Sequence, residues 1–312
     1  MANEILGSLK YLVVYDEATW GVFPASPVYV HIPVLDYDVH FTPRQIQPQP
    51  YLGSFQRKSS LNYRGLPRGR LAAPLYGWHD AGIGLSLAQY LLDWAFSDYE
   101  LQAPRSKGTQ WAEGPNVANK QHSGLRVDSA TLAGDADSGL VTISLDVQGQ
   151  NEVGQFTAQA LPANRNRILC FEYKDCTFTI AGVPVLLKAF QVQIQNGLKA
   201  EYLNSFTPSI LVKSQRLVSV QMTPVKNSDV YDAYRRAQTG NLMDVGLALK
   251  GLNNGTNGAT TWDTVTIDVP QAVFVNADEQ GGINDICTQP LHFLATKPDS
   301  MINDLTLTYA SV

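Results

Sequence analysis

A chain of 312 residues that is 44 % apolar and 16 % charged can bury a sizeable core, as one large β domain or as two of ordinary size. That composition excludes disorder. The net charge of −5 argues against a surface that grips phosphates, which draws its affinity from Lys and Arg, but leaves room for one that nucleic acid slides past. Cys170, Cys176 and Cys287 are odd in number and lack CxxC spacing, so they read as buried free thiols made in a reducing compartment rather than a disulfide framework or a zinc site. The N-terminal stretch has an acidic residue early and no long apolar core, unlike a signal peptide. No segment reaches the roughly 18–20 apolar residues that span a bilayer.

In chain order, "PVYVHIPVL" alternates with period two and sets Val28, Val30 and Ile32 on one face, the mark of a half-buried strand. A second alternating segment runs from Val39 to Phe41, and the phrase "YLGSF" follows at Tyr51–Phe55. In "LSLAQYLLDWAFS" the period changes: Leu87, Ala88, Leu91, Leu92, Trp94 and Ala95 fall at helical spacing, and Ser86 with Gln89 makes a capping-box start. The stretch "SDYELQAPRSKGTQWAEGPNVANKQHSG" shows no period and reads as a long irregular loop. Loops beyond about 12–15 residues are uncommon in compact domains unless they serve a function, so this one is expected to reach a neighbouring subunit. On that basis, deleting Gln102 to Gln121 should leave a folded subunit and weaken assembly. "LVTISLDVQG" then returns to alternation, with Val141, Ile143, Leu145 and Val147 on one face.

The second half repeats this order. "VPVL" from Val183 answers "IPVL" from Ile32, and "YLNSF" at Tyr202–Phe206 answers "YLGSF", each 19 residues downstream of its partner phrase. Phe190, Val192 and Ile194 alternate, and "NSDVYDAYRRAQTG" gives a second helix with Val230, Tyr231, Tyr234 and Ala237 on its stripe, Ser228 as cap and Gly240 as stop. "KGLNNGTNGATTW" reads as another long loop, and "TVTIDV" and "LTLTYA" as closing strands. The order of elements predicts a duplicated unit: an N-terminal arm plus first domain in 1–165 and a second domain in 166–312.

No enzyme signature emerges. His31, His40, His79, His122 and His292 form no metal-binding pair such as HExxH. "DADSG" from Asp135, with Asp137 and Asp146, resembles the start of a calcium loop, but Leu140 stands where the loop needs glycine and a strand follows, so a hairpin turn is the reading. Gly82 and Gly84 lack the rest of a dinucleotide fingerprint, and Ser86 reads as a cap, not a nucleophile. No catalytic, cofactor-binding or metal-binding residue is assigned, and no cofactor is expected.

"YDEATWGVFPASP", "IPVL", "GSFQRKSSLNYRGLPRGRL" and "LAQYLLDWAF", with "FTIAGVPVLLKAFQVQIQNGL" and "PSILVKSQRLVSVQMTPVKNSDVYDAYR" in the second half, resemble the tail tube (major tail) proteins of long-tailed, siphovirus-like bacteriophages. The likeness covers most of the chain and is one of pattern and order. It implies a mainly β fold of duplicated tube-type β-sandwich or barrel domains, each with a flanking α-helix, whose inner strands join an intersubunit β-barrel. It implies a virion protein assembled in the host bacterial cytoplasm into the tail, with no membrane. Its partners would be further copies of itself in stacked rings, the tail tip, tape-measure and tail terminator proteins, and phage DNA passing without sequence-specific contact. Two copies per chain would let three chains fill a pseudo-sixfold ring, with an ordinary six-chain ring as the alternative. Asp36, Asp38, Asp146 and Asp268 are candidate lumen acids. The competing reading is a two-domain β-sandwich module that binds carbohydrate or a host surface, with Trp20, Trp78, Trp111 and Trp262 as stacking residues; a β-sandwich hydrolase ranks below it.

Overall fold

The computed structural model describes residues 10–46, 61–77, 79–80, 85–96, 106–112, 119–154, 170–225, 230, 242–254, 260–277, 288–296 and 305–311. The first half supplies β1 (Tyr11–Asp16), β2 (Val30–Ile32), β3 (Asp36–Tyr37), β4 (His40–Ile46) and β5 (Leu61–Pro74). A short pair, β6 (His79–Asp80) and β7 (Leu85–Ser86), leads into α1 (Leu87–Phe96), and β8 (Lys107–Ala112), β9 (Lys120–Asp135), β10 (Val141–Gln148) and β11 (Asn151–Gly154) follow. The second half supplies β12 (Thr177–Ile180), β13 (Val183–Val185), β14 (Leu187–Gln195), the hairpin β15 (Leu198–Glu201) and β16 (Ile210–Lys213), and β17 (Leu217–Pro224). It ends with β18 (Met243–Asn254), β19 (Thr260–Ala277), β20 (Leu291–Ala295) and β21 (Thr306–Ser311).

Each half is built as two antiparallel layers sharing one long strand. In the first half β2–β1–β8–β9–β11 makes one layer and β4–β5–β10–β9 the other, with β9 crossing from layer to layer. In the second half β13–β12–β18–β19–β21 and β14–β17–β20–β19 stand in the same order, with β19 as the crossing strand. Every pairing named in the first half has a counterpart in the second. The halves meet strand to strand: Ser129–Asp135 of β9 pairs antiparallel with Ala189–Gln195 of β14. A single run β4–β5–β10–β9–β14–β17–β20–β19 therefore crosses the whole molecule.

Alternation decides which side of that run is buried. Ala73, Ile143, Leu132, Val192, Val220, Phe293 and Phe274 lie directly opposite one another in register, strand after strand. Directly opposed residues share a face, so they form one apolar rib through both halves and across the seam, part of one hydrophobic core with Leu12, Val14, Val30 and Ile32 of the first half and Val245, Leu247, Val265 and Ile267 of the second. Burying each of the large side chains Ile143, Leu132, Val192, Val220 and Phe293 contributes roughly 1.5–3 kcal/mol. Helix α1 begins where Ser86 Oγ accepts the Gln89 N–H at 3.1 Å, and it buries the predicted stripe together with Tyr90. Asn196, at the turn after β14, donates its side-chain amide to the Ala95 carbonyl at the end of α1 (3.2 Å) and to the Val127 carbonyl of β9 (2.9 Å). The helix of one half is thus tied to the seam with the other.

The alternation at Val141–Val147 and Phe190–Ile194 is buried as read from the sequence. Val28 departs from it: it is 52 % exposed, because β2 starts at Val30, and all three β2 residues are buried. "DADSG" is the β9–β10 hairpin turn, closed by Gly139 N–H to the Asp135 carbonyl (3.0 Å) with Gly139 at φ 69°. The Ser138 N–H bonded to the Asp135 carboxylate holds that acid below its ordinary pKa. Of the second helix only Val230 is described, helical and buried. The phrase at Tyr51–Phe55, residues Gly82 and Gly84, Cys287 and the boundary between 165 and 166 lie outside the described residues; Cys170 and Cys176 are free thiols, partly rather than fully buried.

Two expected loops are corrected. The stretch after α1 contains β8, which pairs with β1 on one side and β9 on the other and is almost wholly buried. The described parts of "KGLNNGTNGATTW", 250–254 and 260–262, are the far ends of β18 and β19, paired out to Asn254 and Thr260. The deletion of Gln102 to Gln121 therefore removes a central strand of a layer, leaving β1 and β9 with unpaired backbone groups. It is expected to abolish cooperative unfolding rather than spare the fold. A deletion variant with a sharp thermal transition and native near-UV circular dichroism would contradict this.

Candidate assembly interface

The face of the long run opposite the apolar rib is open and polar. One register row reads Asp36, Ala72, Ser144, Thr131, Gln193, Ser219, Leu294 and Val273. The next reads Pro74, Thr142, Ala133, Gln191, Gln221 and His292. On the first half the face carries charges of both signs: Arg70 stands opposite Asp146, and Arg68 lies between His40 and Gln148. These side chains hold one another. Arg70 Nε donates to Ser144 Oγ, Ser129 donates to Asp146 at 2.7 Å, and Asp38 lies 3.2 Å from His40 Nδ1. On the second half the described rows are mostly Gln, Ser and Thr.

The run ends in two edges. β3 and β4 pair only with β5, so their outer backbone groups have no strand beside them among the described residues. At the other end β19 pairs with β20 over Ala272–Ala277, and β18 accompanies it on the other side only as far as Ala272. Unpaired edges invite another strand, and apolar side chains stand beside both. Leu35 is 65 % exposed at the first edge; Val273, Val275 and Leu294 are exposed at the second.

Behind the first edge lies a buried polar network. His122 on β9 is fully buried, with Nδ1 2.8 Å from Tyr37 Oη and Nε2 3.1 Å from Glu152 Oε2. Tyr37 Oη also meets Thr109 Oγ1 at 2.7 Å, and its ring stacks on Trp111 with centroids 5.0 Å apart. Burial pushes the Tyr37 hydroxyl far above its ordinary pKa, so it stays protonated. Glu152 sits below its ordinary value, first because His122 hydrogen-bonds its carboxylate, against the upward push of burial. A second buried acid, Glu17, is raised by burial while Gly124 N–H, Ser106 Oγ and Gly21 N–H donate to it. It fixes the segment between β1 and β2 to β9.

The four aspartates of the sequence reading separate. Asp36 and Asp146 lie on the open face, and so does Asp38, whose N–H bonds to the Arg70 carbonyl. Asp268 instead lies on the other layer, between Gly246 and Thr306, where burial and Asp244 raise its pKa. Trp20 and Trp111 serve as internal anchors: Trp20 Nε1 donates to the Gly124 carbonyl at 2.8 Å, and Trp111 covers Tyr37. Trp78 and the side chain of Trp262 lie outside the described residues. Among the described residues no group of His, Cys, Asp and Glu is placed to hold a metal ion, and no helix is long and apolar enough to cross a membrane. Sequence reasoning missed the Tyr37–His122–Glu152 network, since its members lie far apart in the chain and share no motif.

Tyr37→Phe is expected to lower stability by about 1–3 kcal/mol, the cost of leaving buried partners unsatisfied, while the secondary structure is kept. Chemical denaturation with circular dichroism measures it, and a midpoint equal to the parent's would show that the hydroxyl is dispensable.

The family model described as phage tail tube protein matches residues 7–294. No curated protein sequence matches the chain. The chain belongs to the phage tail tube protein family.

Proposed function

We propose that this structural tail tube protein closes edge to edge into rings of three chains, each half filling one of six positions, and that the rings stack into the conduit through which the genome enters the host. The observation that carries the reading is the seam inside the chain. There the crossing strand of one half, β9, pairs with the first strand of the other half's open layer, β14. The two free edges are the same two strand types, β19 at one end and β3–β4 at the other. A repeat of the internal seam between chains would close the long run of strands into a ring with neither of its two ends left open. Head-to-tail contacts of this kind generate closed rings when the rotation closes.

The open face suits the lumen. Gln, Ser and Thr rows give hydration without fixed charge, and Arg68 and Arg70 stand among Asp38, Asp128 and Asp146. Aspartates beside these arginines weaken the hold the face would have on passing phosphates, which fits a channel that must release what it conducts. Asp36, Asp38 and Asp146 are the lumen acids on this reading. The tape-measure protein would occupy the same channel before DNA, tip and terminator proteins would meet the tube's two ends, and assembly would take place in the host cytoplasm.

Negative-stain imaging of the purified protein over a concentration series tests this, with class averages viewed down the axis. Hollow tubes with three chains per ring are expected; six chains per ring would refute the pseudo-sixfold arrangement. Lysines at a strand edge oppose pairing. Val273→Lys together with Val275→Lys should therefore leave a folded chain that forms no tubes, and tubes at the parental concentration would remove β19 from the interface.

A further inference from the structure

The β4 edge is already engaged. The Phe41 N–H is donated to Glu152 Oε2 at 2.6 Å, a carboxylate carried not by a neighbouring strand but by β11 of the other layer. Glu152 does not swing freely: the same oxygen is held at 3.1 Å by Nε2 of fully buried His122, whose other nitrogen lies 2.8 Å from Tyr37 Oη and 3.3 Å from Thr109 Oγ1. Strands β3, β8, β9 and β11 thus all contribute to aiming one acceptor at one edge amide. A second strand laid along β4 would need that amide as a ladder donor. At the internal seam the corresponding strand, β14, has given its edge to β9 from Ala189 to Gln195.

We infer that Glu152 is an assembly guard: it occupies the edge amide of Phe41 in the free chain and must release it before β19 of a second copy pairs there. The inference rests on the tube reading. Its partner is another copy of this chain, because the free β19 edge is of the same strand type as the one that fills the internal seam, and because Leu35 at one edge and Val273 and Val275 at the other are exposed apolar side chains that an edge-to-edge contact would cover. The device answers a physical problem. An open edge on a monomer is a hazard until its partner arrives, and a charge-assisted acceptor competes with an incoming carbonyl better than water does.

The test compares parent, Glu152→Gln and Glu152→Ala for the threshold concentration of tube formation by light scattering and imaging. Glu201→Gln is the charge control, since that acid pairs with Lys199 within the β15–β16 hairpin. Glu152→Ala should lower the threshold on the order of tenfold, the effect of losing one competing charge-assisted hydrogen bond. Glu152→Gln should lower it less, and Glu201→Gln should leave it at the parental value. Amide exchange at Phe41 in the unassembled chain should be slow in the parent and fast in Glu152→Ala. Because loss of the His122 partner can weaken the fold, thermal midpoints of the unassembled chains accompany the thresholds, and the Gln variant carries the test if the Ala variant unfolds. Tubes from all four proteins at one threshold would overturn the guard and leave the tube reading standing. Tubes from none of them would overturn both.

Discussion

A strand in the middle of a sheet satisfies its backbone on both sides, and a strand at the edge does not. The architecture of this chain is organised around that difference. Along the long run, one potential edge, that of β9, is closed internally by β14, and two remain among the described residues, at β3–β4 and at β19. Around the closed one, the apolar rib continues unbroken from Ala73 through Leu132 and Val192 to Phe274, so the halves share a core as well as a ladder. Asn196 then binds the end of α1 to the same place. The seam carries seven register pairs, as many as β10 makes with β5.

The pairing order gives meaning to the short echoes in the sequence. Tyr202–Phe206 lies between β14 and β17, and Tyr51–Phe55 falls in the chain between β4 and β5, the strands at the corresponding places. Around both places the same set of antiparallel pairings stands in the same order. The phrase in the second half also has a physical task, for the Phe206 carbonyl accepts the Gly65 N–H of β5 at 3.0 Å. That loop reaches across from its own half to the other.

Elements were legible where one face is apolar and the other wet. Val141–Val147, Phe190–Ile194 and the α1 stripe present that contrast, and Ser86 announces the helix. β8 was not legible, because its sequence "KGTQWA" hides polar groups inside rather than showing them to water. Thr109 meets Tyr37 and His122, Gln110 meets Tyr29 and Gln121, and Lys107 pairs with Asp16 beneath the Tyr90 ring. A buried, hydrogen-bonded polar strand and an exposed polar loop have the same composition. Val28 failed for the opposite reason: alternation continues in the letters past the point where pairing begins. Of the open face, the side on which Asp36, Asp38 and Asp146 stand follows from strand parity, whereas the position of Glu152 beside Phe41 depends on two layers meeting and leaves no trace in either segment.

Asn196 precedes Gly197, and an Asn followed by Gly is the dipeptide most given to chemical ageing, in which the backbone nitrogen of the glycine attacks the side-chain amide. The turn after β14 places this vulnerable pair at the seam. Its amide is nevertheless held by the Ala95 and Val127 carbonyls, the residue is buried, and the turn is fixed with Gly197 at φ 60°. Attack would require the amide to leave both carbonyls and rotate within a packed wall. A virion must wait, without repair or turnover, for a host that arrives at no set time. The hydrogen bonds that join the two halves also protect this bond through that wait.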